Sequence, residues 1–213
     1  GNSITYSVSK DAVNLIDASE ISMTLSDGVV FGDNDKVRKG KKASVDQTLP
    51  TVAYKKAQVR DNYNEITLIF KEFSLAFRAY DEGVAYRFTS SLKNDSKVLA
   101  EKAQFNFAKD WDAYVPYVKQ HTETLESQYW NSFENTYSIH ALSQWNKERL
   151  AFLPIAVSAE GGMKVLITES DLVDYPGMYL YNEGDATTLS GRFAPYPKTV
   201  EQGGHNMLQG IVK

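Results

Sequence analysis

FSLAFRAYDEGVAYRF, residues Phe73 to Phe88, is the stretch from which the fold is read. Phe73, Leu75, Phe77 and Ala79 alternate with Ser74, Ala76, Arg78 and Tyr80, the period-two pattern of a half-buried strand. Asp81-Glu82-Gly83 follows as a short loop, with glycine where a left-handed backbone is expected, and Val84, Tyr86 and Phe88 return on a second arm. The pattern predicts an antiparallel hairpin. Arg78 and Arg87 fall on its two arms, where a salt link to Asp81, Glu82 or another carboxylate is their ordinary use.

The same alternation recurs on both sides of this hairpin. Upstream, Ile4, Tyr6 and Val8 share one face of a strand, and Ile21, Met23 and Leu25 share one face of another that ends at Ser26-Asp27-Gly28. Gly32 to Ser44 is polar and reads as loop. Val52 to Gln58 reads as a strand, and Ile66 to Phe70 is a nearly continuous apolar run of the kind buried on both faces. Downstream, Phe105 and Phe107 alternate, and Leu153 to Ser158, Ala159-Glu160-Gly161-Gly162 and Met163 to Thr168 form a second hairpin. Leu125, Tyr129, Trp130 and Phe133 stand at helical spacing within Glu123 to Phe133, a short helix or an irregular crossing. After Leu180 the chain reads as loose. Many short strands joined by hairpins, with almost no helix, predict an all-β antiparallel sandwich of two sheets.

Length and composition narrow the classes. A chain of 213 residues with 42% hydrophobic and 23% charged residues is an ordinary folded protein, and one core over residues 1–213 is the economical expectation. Its net charge of −4 offers no footprint for nucleic acid; the basic run Lys36 to Lys42 lies in a Gly- and Asp-containing stretch without interleaved aromatics and reads as a solvated loop. The absence of cysteine excludes disulfides, thiolate metal sites and thiol catalysis. The longest apolar run, Ala151 to Val157, is too short to span a bilayer. GNSITYSVSK enters a strand in mid-course and QGIVK stops without a closing element, so both ends are expected to lie within a longer chain, and the lack of a leader says nothing about location.

The chemistry concentrates at Lys164 to Leu180, KVLITESDLVDYPGMYL. Val165 to Thr168 reads as a strand; Glu169, Asp171 and Asp174 crowd its end, and Tyr175-Pro176-Gly177 forces a turn before Met178 to Leu180 resume an apolar run. Carboxylates beside such a corner either present oxygen ligands outward or are simply solvated. Catalytic signatures are missing: there is no Gly-x-Ser-x-Gly elbow, phosphate loop or dinucleotide glycine pattern, and His121, His140 and His205 are isolated.

RDNYNEITLIF (Arg60 to Phe70), LAFRAYDEGVAYRF (Leu75 to Phe88) and ITESDLVDYPGMYL (Ile167 to Leu180), in that order, closely resemble the N-terminal domain of glycoside hydrolase family 97 over nearly the whole chain. The resemblance implies a β super-sandwich similar to galactose mutarotases, packed on a catalytic (β/α)8 barrel that would follow Lys213 and would carry the catalytic carboxylates. It implies a parent enzyme acting on α-glucosides or α-galactosides, periplasmic or secreted, whose partners for this chain are the barrel and the oligosaccharide substrate, the chain alone being inactive. Within Thr168-Glu169-Ser170-Asp171-Leu172, Glu169 matches the position at which the family lends a glutamate to an active-site Ca2+. By the same resemblance Tyr175, Pro176 and Gly177 form a rigid corner at the domain interface, with Asp171 and Asp174 as caps or loop acceptors. Two other readings stand beside it: a freestanding sugar-binding sandwich in which Trp111, Tyr114, Trp130 or Trp145 stacks on pyranose rings, and an aldose epimerase, for which no convincing His and Glu pair is present.

Overall fold

A computed structural model of the chain describes residues 2–119, 124–129, 133–184, 186–204 and 208–211, the side chains of Gln209 and Ile211 excepted. The protein is all-β and antiparallel, as its alternation predicts. In chain order the strands are β1 (Ile4–Lys10), β2 (Val13–Leu25), β3 (Val30–Phe31), β4 (Lys39–Pro50), β5 (Gln58–Ile69), β6 (Phe73–Tyr80), β7 (Val84–Ser90) and β8 (Val98–Phe107). They continue as β9 (Asp112–Val115), β10 (Ser138–Ala141), β11 (Ile155–Ser158), β12 (Lys164–Ile167), β13 (Met178–Tyr181), β14 (Thr188–Phe193), β15 (Thr199–Gln202) and β16 (Leu208–Ile211). Two compact units emerge, residues 1–4 with 22–99 and residues 5–21 with 100–213.

The first unit is built on the meander β4-β5-β6-β7. The Phe73–Phe88 hairpin forms as predicted, with Phe77 opposite Tyr86 and Ala79 opposite Val84. Its loop closes through Tyr80 N–H donating to the Gly83 carbonyl at 2.8 Å, and Gly83 keeps an ordinary backbone without a left-handed φ. Phe73 stacks on Phe31 and Phe70, with ring centroids 4.5 and 4.3 Å apart, and with buried Leu25 and Leu75 these rings make the unit's core. Arg78 finds its carboxylate on the neighbouring strand: Nε donates to Glu65 Oε2 at 2.7 Å, and the guanidinium lies 4.3 Å from the Tyr63 ring centroid.

Three expectations fail here, the first two because strand formation follows pairing more than local pattern. Lys39 to Lys42 belong to β4, exposed on both faces but paired with Ile69 to Ile66 of β5. Val52 to Ala57, expected as a strand, is the irregular loop between those long arms, with Val52 95% exposed. Ile66 to Ile69 is not buried on both faces: Ile66 is exposed, and Leu68 and Ile69 are only half-buried.

The second unit is a two-sheet sandwich. One sheet runs β1-β2-β8-β14-β13, the other β10-β9-β11-β12, and β15 pairs with β16 as a separate ribbon. Inward residues of both sheets meet in one core: Leu15, Phe107, Met178, Leu180 and Leu189 from the first, Ala113, Val115, Ile155, Val157 and Ile167 from the second. Alternation explains the split, since Ala113 and Val115 are buried while Asp112 is exposed and Tyr114 half-buried. The second predicted hairpin is β11–β12, with Val157 opposite Val165; its turn is closed by Ala159 N–H to the Met163 carbonyl at 2.9 Å and uses left-handed Gly161 and Gly162.

Within Glu123 to Phe133, the helical structure among the described residues is a single 3-10 turn over Glu126–Tyr129. It is fastened by buried Gln128, whose side chain donates to the Glu148 carbonyl at 2.6 Å and accepts Leu150 N–H at 2.9 Å. Glu123 and Trp130 lie outside the described residues. The segment after Leu180, expected to be loose, holds β14, β15 and β16. Strand β14 is inserted between β8 and β13, and Gly191 is required where it passes Met178: a Cβ there would stand 2.8 Å from Met178 Sδ and 3.1 Å from Ala103 Cβ.

Candidate functional site

The site lies in the second unit, where β12 ends and the 168–177 loop leads into β13. Burial alternates through the strand end, Ile167 buried, Thr168 exposed and Glu169 half-buried, so Glu169 leaves the sheet on its inner side. The loop then turns through Asp171 (φ 61°) and Asp174 (φ 51°), left-handed positions that aspartate tolerates through its short polar side chain. It returns at Tyr175-Pro176-Gly177 to Met178.

Glu169 does not dissolve into the core. Its Oε1 accepts the backbone N–H of Met178 at 2.7 Å, and Oε2 has no hydrogen-bond partner among the described residues. Burial pushes its pKa above the ordinary carboxylate value, and the Met178 N–H opposes that shift. With Tyr175, Pro176 and Gly177 it lines a largely apolar depression with a volume of about 420 Å³, walled further by Phe133, Phe152, Tyr179 and Tyr196. The residues that the sequence singles out therefore come together in one depression of the sandwich rim.

Other candidates separate from them. Asp171 and Asp174 are exposed. Among the described residues no three His, Asp or Glu side chains gather as a metal-holding group. Trp145 is 3% exposed, edge-on to Tyr117 at 5.4 Å, and its Nε1–H donates to the Arg149 carbonyl at 3.4 Å; it is core and cannot stack on a sugar. Trp111 packs half-buried against the main core, and Tyr114 lies on the outer face beneath Lys164 Nζ, 5.3 Å from the ring centroid. His140 shares a hydrogen bond of 2.9 Å with the Tyr117 hydroxyl, while His121 and His205 lie outside the described residues.

One carboxylate went unread in the sequence. Glu101 of β8 sits on the same side of its strand as buried Ala103 and Phe107, and its Oε2 accepts the Tyr175 hydroxyl at 2.5 Å. Burial raises the Glu101 pKa, the Tyr175 hydrogen bond opposes this, and the Glu169 charge adds to it. Tyr175 is itself pushed far above the ordinary phenol value, first by burial and then by Glu101. A charged residue at a core-parity position of an alternating strand was the available signal.

Comparison with known proteins places the chain in a family. The family profile described as Glycosyl-hydrolase 97 N-terminal matches residues 1–203. A retaining alpha-galactosidase of Bacteroides thetaiotaomicron is 45% identical over 215 residues, covering 100% of this chain and 32% of that protein, so the chain spans about a third of its relative. A glycoside hydrolase family 97 enzyme of Pseudoalteromonas sp. strain K8, solved with acarbose, superposes with a TM-score of 0.75 at 20% identity over 92% of this chain and 29% of its own. A beta-arabinopyranosidase superposes with a TM-score of 0.77 at 18% identity, over 100% of this chain and 35% of its own, and at such identities the likeness is one of fold. The match over almost its full length and the high identity to a curated relative make the chain a member of the glycosyl-hydrolase 97 N-terminal family.

Proposed function

We propose that the chain is the non-catalytic N-terminal domain of a calcium-dependent α-glycosidase and that Glu169 lends a carboxylate oxygen to a Ca2+ held jointly with the catalytic barrel of the same polypeptide. The observation that carries the reading is the state of the Glu169 side chain: one oxygen is fixed by Met178 N–H, and the other has no hydrogen-bond partner among the described residues, on a concave rim. Burial disfavours the charge on this carboxylate, a deficit that a bound cation offsets. Calcium takes six to eight oxygens at about 2.3–2.6 Å, and one carboxylate supplies one or two, so the remaining ligands come from outside the residues described. When bound, the ion would supply positive charge next to the glycosidic bond being broken. This chain's own part is to hold Glu169 in place through the Met178 N–H and to wall the depression with Tyr175, Tyr179 and Tyr196.

The name of the 45% identical relative makes α-galactosides the first substrate class to test, ahead of α-glucosides. The freestanding sugar-binding reading loses support with Trp145 in the core. Aryl α-galactosides and α-glucosides offered to the full-length protein and to residues 1–213 alone test the assignment. Hydrolysis by the full-length protein only is expected; turnover by residues 1–213 would overturn the non-catalytic role.

A further inference from the structure

We infer that Glu101, through its hydrogen bond with Tyr175, is a positioning residue that holds the 168–177 loop in the conformation in which Glu169 presents its second oxygen, Oε2. The inference rests on the reading of Glu169 as a cation ligand. Glu169 is carried by a loop with two left-handed residues, Asp171 and Asp174, and not by a regular strand. Such a segment keeps one shape only where its surroundings hold it. At its start Glu169 Oε1 is tied to Met178 N–H at 2.7 Å; at its far corner the Tyr175 hydroxyl donates to Glu101 Oε2 at 2.5 Å and the Tyr175 ring stands edge-on to Phe193, centroids 5.9 Å apart. Glu101 belongs to β8 and Phe193 to β14, neighbouring strands of one sheet, so the corner is fastened to the rigid part of the sandwich.

Tyr175 also gives Glu101 its hydrogen-bond donor. With the phenol donating, Glu101 Oε2 has a partner from the loop; with the phenol absent it becomes a half-buried carboxylate without this donor. Residues that orient a ligand from behind change metal affinity by about 10- to 100-fold when removed.

The test is calorimetric titration of Ca2+ into the chelator-stripped full-length protein, with thermal unfolding in chelator as a parallel readout. Glu101→Ala and Tyr175→Phe are each expected to raise the calcium Kd about tenfold, with no further loss in the double variant. Glu101→Gln, whose amide oxygen still accepts the phenol, should restore affinity toward that of the unaltered protein, and it serves where Glu101→Ala fails to fold. Unaltered calcium Kd in Tyr175→Phe and Glu101→Ala, with only a lowered melting temperature, would reduce the pair to a structural contact and overturn the inference. Glu169→Gln separates the two readings. If it leaves Kd unchanged, the ligand assignment fails and takes this inference with it; if it weakens binding while Glu101→Ala does not, the positioning role alone falls.

Discussion

Glu169 and Met178 are joined by a hydrogen bond of 2.7 Å from the backbone N–H of the second to Oε1 of the first, across the whole of the 168–177 loop. The bond closes that loop and leaves the other carboxylate oxygen without a hydrogen-bond partner among the described residues. Glu169→Gln preserves an acceptor for the Met178 N–H, so the melting temperature in chelator should stay within about 2 °C of the unaltered protein. Glu169→Ala removes the acceptor and should destabilise by about 1 kcal/mol in urea unfolding.

Trp145, 3% exposed against Tyr117, is predicted to act through packing. Trp145→Ala should lower the unfolding free energy by about 3–5 kcal/mol, measured by denaturant unfolding. A loss well under that, together with weakened sugar binding, would reinstate the stacking role.

Gly191 stands where β14 passes the Met178 side chain, the residue whose N–H anchors Glu169. Gly191→Ala should destabilise by about 1–3 kcal/mol, because the added methyl meets Ala103 Cβ at 3.1 Å as well as the more pliable thioether. Thermal unfolding reads this directly.

Arg78 and Glu65 form a partly exposed pair, 40% and 20% accessible in their side chains, so their coupling is discounted for solvent to about 1 kcal/mol. The Arg78 hydrogen bond holds the Glu65 carboxyl below its ordinary value. A lowered pKa means stability that is complete above the unfolded carboxylate value and lost as pH falls through the folded one. A double-mutant cycle with Arg78→Ala and Glu65→Gln should therefore show coupling at about pH 7 that fades at about pH 2 and shrinks in salt.

Local chemistry made the hairpins legible. Alternation around Asp81-Glu82-Gly83 and around Ala159 to Gly162 needs no distant partner to be read, and both hairpins form where predicted. Strand β4 was hidden because KGKKASVDQTLP has no apolar face, its pairing with β5 supplying what its own residues lack. Strand β14 was hidden because its partner β8 lies far upstream, and it carries Gly191 where the sheet leaves little room for a side chain. At the site, family resemblance picked out Glu169, Tyr175, Pro176 and Gly177, and all four line one depression. Glu101 stayed out of sight, since nothing near it in the chain announces Tyr175.

The measurement that bears most directly on the central claim is a calcium titration of full-length protein carrying Glu169→Gln, followed by hydrolysis of an aryl α-galactoside after chelator treatment. Loss of the anionic oxygen is predicted to raise the calcium needed for half-maximal activity by about tenfold or more, with the melting temperature in chelator unchanged. The same calcium dependence in the variant and the unaltered protein would contradict the claim that this domain supplies a ligand.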